Sequence, residues 1–136
     1  MKREDHRSQY WAGGHTTSRL RYHIVFTPKY RKRILEGRLA QRLEELLREA
    51  CEFHEWHLDE LSIQLDHVHI MLQAWPKDSV SHILHILKGG TARAVRSEFP
   101  ALQEVLWGSS FWADGFFSET VGHVDEVVVR NYIRSQ

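Results

Sequence analysis

The chain has 136 residues, 42% of them apolar, and its 18 Lys and Arg balance its 18 Asp and Glu to a formal net charge of zero. This length suffices for one compact domain with one hydrophobic core. We find no run of eighteen apolar residues and no apolar signal-peptide segment at the N-terminus, so we expect no membrane association and predict a cytoplasmic protein. The single cysteine, Cys51, falls in an apolar helical pattern, which predicts a buried and unreactive thiol.

Charge is unevenly distributed along the chain. Residues 1–35 contain nine Lys and Arg and two acidic residues, a net +7, whereas the rest contains nine Lys and Arg and sixteen acidic residues, a net −7. A basic region can bind phosphate groups, and Arg31, Lys32 and Arg33 are candidates for such contacts. A run of this kind is equally typical of a solvated loop, so both interpretations stay open.

Hydrophobic periodicity predicts a polar tail over residues 1–17 and a single domain over residues 18–136. Alternating apolar residues indicate strands, and apolar spacings of three and four residues indicate helices. In chain order the predicted elements are a strand over 20–27, a helix over 39–55, two strands over 58–65 and 67–74, a helix from Asp78 or Ser79 to about Phe99, one or two strands within 106–112 and 116–121, and a last helix over 123–136.

This order is typical of an α+β ferredoxin-like fold, the split βαβ arrangement, with an antiparallel sheet, two helices on one face and an added C-terminal helix. Side chains alternate along a strand. The core beneath the two helices should therefore receive Val68, Ile70, Leu72 and Ala74. The opposite face, which the last helix can cross after a hinge at Gly122, should carry His67, His69, Met71 and Gln73.

Two pairs of polar residues indicate chemistry. His67 and His69 lie two residues apart on a predicted strand, and Tyr132 and Gln136 lie four residues apart on a predicted helix, so each pair shares one face. Two imidazoles and an amide can hold a metal ion, and a phenol beside it can attack a phosphate. Each pair alone is weak, since surface histidines are common and a helix tyrosine usually packs at an interface. Together they predict metal-assisted, tyrosine-dependent phosphoryl transfer on DNA.

The segments YHIVFTPKYRKRIL, LDHVHIML, LKGGTAR, FFSETVG and RNYIRSQ resemble those of the small single-tyrosine HUH transposases of the TnpA type. These enzymes mobilise bacterial and archaeal insertion sequences as single-stranded DNA, and the resemblance covers about residues 18–136. It implies that His67 and His69 are the histidine–hydrophobe–histidine (HUH) pair, that Tyr132 is the nucleophile and that Gln136 is the third ligand of Mg²⁺ or Mn²⁺. It also implies that Lys88 lies near the DNA.

The resemblance further implies a DNA-associated prokaryotic enzyme that cleaves and rejoins single-stranded DNA through a 5′-phosphotyrosine, without ATP. Cleavage is expected to need a single strand, because an open sheet face must admit a flexible phosphodiester, which a stacked duplex resists. A hairpin read by its shape and backbone charge is expected beside the cleaved strand. A homodimer with active sites shared in trans is also implied. We expect the same from the sequence, because a short domain offers the tyrosine helix little surface in cis and the segment 106–117 could supply an apolar contact.

Three alternative functions differ in the residues that they require. A histidine-triad nucleotide hydrolase would need a third histidine where Met71 stands. A non-catalytic nucleic-acid-binding module of the same fold would carry aromatic residues on the open sheet face, where histidines are found instead. A domesticated relative of these transposases, acting on chromosomal palindromes, remains compatible with the sequence.

Some residues favour a structural interpretation. His82 and His85 lie three apart on one helix, and a surface pair is the better reading, since no carboxylate or Cys stands at ligand spacing. The aromatic residues near the C-terminus are expected to form core or dimer contacts, with base stacking possible for one or two of them. They are Trp107, Phe111, Trp112, Phe116 and Phe117.

Overall fold

The computed structural model describes residues 19–123 and 125–136, so the predicted tail over residues 1–17 lies outside the described residues. In chain order the elements are β1 (Leu20–Phe26), a 3₁₀ turn (Lys29–Arg31), α1 (Gly37–Phe53), β2 (His57–Gln64), β3 (His67–Ala74), α2 (Val80–Glu98), α3 (Leu102–Leu106), β4 (Phe117–Thr120) and α4 (Glu126–Arg134). Of the helices within these ranges, none has both the length and the apolar composition needed to cross a bilayer.

The four strands form one antiparallel sheet in the order β2-β3-β1-β4. The register places Ile24 of β1 opposite Ile70 of β3 and opposite Ser118 of β4. Helices α1 and α2 share the hydrophobic core with one face of the sheet, because their apolar residues recur every three to four positions and form one stripe per helix. The predicted α+β antiparallel fold with an added C-terminal helix is confirmed.

The predicted division of β3 into two faces is also confirmed. Val68, Ile70, Leu72 and Ala74 are all fully buried in the core shared with α1 and α2. Removing one large aliphatic side chain from water contributes about 1.5–3 kcal/mol to the stability of the folded state. A shift of the strand by one residue would expose all of these side chains, so their burial fixes the register. The other face is not open to solvent along its length, because α4 lies over it.

Helix α4 packs against the sheet of its own chain. Ile133 is 1% exposed and forms a second small core with Met71 and Val121. Arg130 and Arg134 both donate to the Glu60 carboxylate on β2. The expectation that the domain offers little surface for this helix in cis is therefore wrong: a buried isoleucine and a shared carboxylate hold it.

Of the one or two strands predicted within 106–112 and 116–121, one is present, β4, and the segment 106–112 forms no strand. The segment contains the end of α3 and a turn in which Trp107 and Gly108 adopt left-handed φ angles of 50° and 80°, and its only strand-like pairing is an isolated bridge between Pro28 and Trp112. Gly108 and the two serines after it favour a turn over a ladder. The other boundaries shift by a few residues, and α4 begins at Glu126 instead of residue 123.

The aromatic residues divide between core and surface. Phe111 and Trp112 are buried, and Trp112 Nε1 donates to Thr91 Oγ1 at 2.9 Å. Trp107, Phe116 and Phe117 are exposed. The thiol prediction agrees with the structure, since Cys51 is 2% exposed and burial raises its pKa to about 12.

Candidate active site

A cavity of about 640 Å³ lies between the sheet and α4. The sheet contributes His23 from β1, His67 and His69 from β3 and Glu119 from β4, while α4 and the residues after it contribute Tyr132 and Gln136. Residues some seventy positions apart in the sequence thus line one space. The cavity exists because α4 crosses the histidine-bearing face of the sheet at the end where β3 begins.

His67 is held at its Nδ1, and its Nε2 faces Gln136. Its Nδ1 lies 2.7 Å from Asp66 Oδ1, and its Nε2 lies 3.3 Å from Gln136 Oε1. The hydrogen bond from His67 Nδ1 to Asp66, together with one from Arg31 Nε at 3.1 Å, lowers the pKa of Asp66. The Asp66 carboxylate therefore stays ionised and acts as an acceptor. The Nδ1 of His67 therefore carries a proton, and Nε2 presents its lone pair toward Gln136.

His69 lies deeper than His67, at 4% exposed. Its burial, with smaller contributions from the charges of His67 and His23, lowers its pKa to about 4. The ring is neutral at neutral pH, which is the state a metal ligand requires.

Tyr132 stands beside the histidines and remains accessible. Its ring centroid lies 5.5 Å from that of His69 and 6.3 Å from that of His23, with the rings edge to face. The side chain is 52% exposed, so a large substrate can approach it from solvent.

The donor atoms around this cavity fit a divalent cation. Within residues 19–123 and 125–136, no three His, Cys, Asp or Glu side chains are grouped as metal ligands, so a cation held here by His67 and His69 would need a further ligand of another type. Gln136 meets this need, because its amide oxygen faces the lone pair of His67 Nε2, and two facing acceptors favour a cation between them. Two imidazoles and an amide are all neutral, so they leave the full charge of a bound ion available to a phosphate.

The predicted DNA contacts are only partly gathered at this cavity. Arg31 lines it, whereas Lys32 and Arg33 lie in the loop that follows and do not. Lys88 donates from Nζ to the carbonyl oxygens of Ala113 and Gly115, at 2.8 and 2.9 Å, and also lies outside the cavity lining. Burial lowers the pKa of Lys88. On α2, His82 and His85 are both exposed, in keeping with a surface pair.

Sequence reasoning missed three residues of the site, namely His23, Asp66 and Glu119. The alternation in LRYHIVF places His23 on the face opposite the core residues Tyr22 and Ile24, and this signal could have found it. Its contact with Glu119 depends on the pairing of β1 with β4, which the sequence pattern does not specify.

Comparison with known families matches residues 16–136 to the family described as IS200-like transposases. The ISDra2 transposase TnpA of Deinococcus radiodurans is 32% identical over 117 residues, covering 86% of this chain and 84% of that protein. The transposase for insertion sequence element IS200 of Salmonella typhimurium is 33% identical over 122 residues, covering 90% of this chain and 80% of that protein.

Two solved structures are similar in fold. The crystal structure of a protein described as a transposase, from Deinococcus radiodurans, superposes with a TM-score of 0.74 at 30% identity and covers 92% of this chain and 96% of that one. A REP-associated tyrosine transposase bound to a REP hairpin superposes with a TM-score of 0.61 at 13% identity, covering 96% and 70% of the two chains. At 13% identity this second likeness shows the fold alone.

Proposed function

The chain belongs to the family of IS200-like transposases, which cleave and transfer DNA, and from that premise we propose its mechanism. In this proposal the protein cleaves and rejoins single-stranded DNA at insertion-sequence ends. The reaction passes through a 5′-phosphotyrosine formed on Tyr132, with a divalent metal ion held by His67, His69 and Gln136. The observation that carries the proposal is the convergence of Tyr132, Gln136 and the two histidines on one cavity.

In this mechanism the Tyr132 oxygen attacks the scissile phosphorus. A P–O bond forms to the phenol as the bond to the 3′ oxygen breaks, the phenolic proton leaves and the 3′ oxygen ends as a hydroxyl. A free tyrosine has a pKa near ~10, so it is a poor nucleophile without help. A bound Mg²⁺ or Mn²⁺ supplies Lewis-acid polarisation of the phosphate and stabilisation of the leaving 3′ oxygen. The aryl phosphate retains the energy of the broken bond, and a later 3′-hydroxyl can reverse the step without ATP.

The chain's own groups have separate tasks. Helix α4 positions Tyr132 beside His69, and Asp66 holds the His67 ring so that its Nε2 faces the cavity. Arg31 reaches the cavity wall and can contact a phosphate of the bound strand.

The shape of the site supports a single-stranded substrate. A phosphodiester must approach the recessed His69 and the Tyr132 ring at once, which a stacked duplex resists. The transposase of the same fold that was solved with a hairpin makes a hairpin beside the cleaved strand a reasonable substrate feature.

The test compares two tyrosine variants. Wild-type protein, Tyr132→Phe and Tyr30→Phe are incubated with labelled single-stranded oligonucleotides covering the DNA that flanks the gene. Tyr30 is a matched control, since it is also exposed, at 70%, and loses only a hydroxyl. We expect a protease-sensitive covalent adduct with the wild type and with Tyr30→Phe, and none with Tyr132→Phe, whose DNA binding should be nearly unchanged. An adduct formed by Tyr132→Phe would overturn the assignment of the nucleophile.

We also propose that the active enzyme is a homodimer that shares its active sites in trans. Support comes from the apolar side chains left exposed beside the site, which include Phe117 and Val128, and from Gly122 before α4, which can serve as the hinge of an exchange. In an exchanged dimer the contacts of α4 with the sheet would form between subunits.

Complementation distinguishes the two arrangements. His67→Ala and Tyr132→Phe protein are each inactive in this proposal and are mixed under conditions that let subunits exchange. Sharing in trans gives heterodimers one site without either defect, and cleavage returns. Docking in cis leaves every site with one defect, so an inactive mixture, with exchange verified by mass, would contradict sharing in trans.

A domesticated relative acting on chromosomal palindromes is a second candidate. The identities of 32–33% to insertion-sequence transposases over most of both chains favour the insertion-sequence reading. A non-catalytic module is disfavoured because the neutral buried His69 and the exposed Tyr132 have no evident role in simple binding.

A further inference from the structure

His23 joins the candidate active site to the edge of the sheet. It is 5% exposed on β1, its Nε2 lies 3.1 Å from His69 Nδ1, and its Nδ1 lies 2.8 Å from Glu119 Oε2. The His23 and His69 rings are nearly parallel, 9° apart, with centroids 5.3 Å from one another. The three side chains form a continuous chain of hydrogen bonds that ends at a proposed metal ligand.

The direction of each hydrogen bond follows from the end of this chain. An ionised carboxylate only accepts, so Glu119 requires His23 Nδ1 to carry a proton and to donate it. In a neutral ring His23 Nε2 is then an acceptor, and the hydrogen between the two rings must come from His69 Nδ1. His69 is left with a lone pair on Nε2, the nitrogen that a metal ion would use.

We propose that His23 and Glu119 are positioning residues that fix the tautomer and orientation of His69 and thereby set the metal affinity of the site. The consequence for metal binding rests on the proposed function above, whereas the tautomer assignment does not. His67 has the equivalent support by a shorter route, since Asp66 accepts from its Nδ1 directly. Each histidine of the pair thus directs Nδ1 to an acceptor of the protein and keeps Nε2 available.

A purely structural role for Glu119 does not account for its contact with His23. Its side chain is 47% exposed on β4, at the edge of the sheet, so it contributes little to the hydrophobic core. The carboxylate lies directly opposite His23 in the pairing of β1 with β4, and it accepts from the Nδ1 of this buried histidine. By accepting from His23 Nδ1, this carboxylate keeps the proton on that nitrogen, and through His23 it determines which nitrogen of His69 carries the proton.

The decisive variant is Glu119→Gln, because it keeps the shape of the side chain and can donate to His23 Nδ1 as readily as accept from it. Glu119→Asp retains a carboxylate and should preserve the effect in part. Glu104→Gln is the matched control, since Glu104 is exposed on α3, outside the cavity lining, and loses the same charge.

Two measurements separate this inference from the proposed function. In metal-free protein, long-range ¹H–¹⁵N spectra report the tautomer of His69, with its resonances assigned by their loss in His69→Ala. We expect a protonated Nδ1 in wild type and Glu104→Gln, and a mixture or the opposite tautomer in Glu119→Gln. An unchanged tautomer in Glu119→Gln would overturn the positioning role whatever the metal does.

Calorimetric titration with Mn²⁺ alone then measures the consequence. Loss of a group that supports a metal-ligating histidine through hydrogen bonds typically weakens metal binding 10–100-fold. We therefore expect the Mn²⁺ affinity to decrease by about tenfold or more in Glu119→Gln, by less in Glu119→Asp and not at all in Glu104→Gln. Equal Mn²⁺ affinity in Glu119→Gln and Glu104→Gln would contradict the inference. If wild type and His67→Ala bound Mn²⁺ equally, the proposed metal site would fail instead, and the tautomer spectra would still decide the role of Glu119.

Discussion

Replacing Glu60 by glutamine should loosen α4 from the sheet and with it the position of Tyr132. The Glu60 carboxylate is 13% exposed and accepts from Arg130 Nη1 at 3.0 Å and from Arg134 Nε at 2.9 Å. Glutamine keeps one neutral acceptor but loses the charge that both guanidinium groups face. Other contacts of α4, including the buried Ile133, remain.

The size of the effect follows from the exposure of the partners. Arg134 is 61% exposed, so its pair contributes about 0.2–1 kcal/mol after screening by solvent. Arg130 is 24% exposed, and a charge-assisted hydrogen bond in such a place contributes about 1.5 kcal/mol or less after the same discount. Together they give about 1–2 kcal/mol, which corresponds to a roughly 5- to 30-fold increase in the undocked population of α4.

Hydrogen exchange of the α4 amides measures this population. A helix of nine residues is not stable by itself in water, so undocking should expose its amides to exchange. Glu98→Gln is the matched control, because Glu98 accepts from Arg42 at 2.8 Å on the opposite side of the sheet. We expect faster exchange of α4 in Glu60→Gln only, with β3 unchanged in both. Equal protection of α4 in the two variants would refute the role of Glu60 in docking the helix.

Three further predictions concern acid, metal and DNA. In metal-free protein the free energy of unfolding should fall, by on the order of 2 kcal/mol, as pH falls from 6.5 to about 4, because the unfolded chain binds a proton at His69 before the folded one does. Urea titrations of His69→Gln at several pH values should lack this dependence of the unfolding free energy on pH. An unchanged pH dependence in His69→Gln would exclude His69 as its source. EDTA, His67→Ala and His69→Ala should each abolish cleavage, and Gln136→Ala should reduce it less, because an amide is the weakest ligand; full EDTA-resistant cleavage would contradict the metal role. A gel assay should show cleavage of a single strand but not of the matching perfect duplex, and equal cutting of both would rule out the single-strand requirement.

The fold and most of the site followed from periodicity. The alternation of β3 separated its core residues from His67 and His69. The helix predicted to run to Gln136 ends at Arg134, so Gln136 follows the helix and lines the same cavity as Tyr132. These patterns are local, and a sheet face or a helix face is determined by the residues that share it. The convergence of the two pairs was an inference from the resemblance, since no local pattern specifies that α4 crosses β3.

The parts that sequence reasoning missed depend on long-range geometry. Between Leu58 and Glu60 the β2–β3 register shifts. Arg130 of α4 contacts the carboxylates of both Asp59 and Glu60, at 3.9 and 3.0 Å, although neighbouring residues of a regular strand point to opposite faces. This local irregularity accompanies the contacts of β2 with α4, and the pattern HLDELSIQ does not reveal it. The turn at Trp107 likewise requires left-handed backbone at a residue whose type does not predict it.

The most direct test of the proposed function is to identify the residue that becomes linked to DNA. Wild-type protein is incubated with Mn²⁺ and a single-stranded oligonucleotide covering the DNA that flanks the gene, the adduct is digested with protease and nuclease, and the modified peptide is sequenced by mass spectrometry. We expect a 5′-phosphorylated nucleotide on Tyr132 and a free 3′-hydroxyl on the released fragment. A nucleotide on any other residue, or cleaved DNA with no adduct, would contradict a mechanism built on Tyr132.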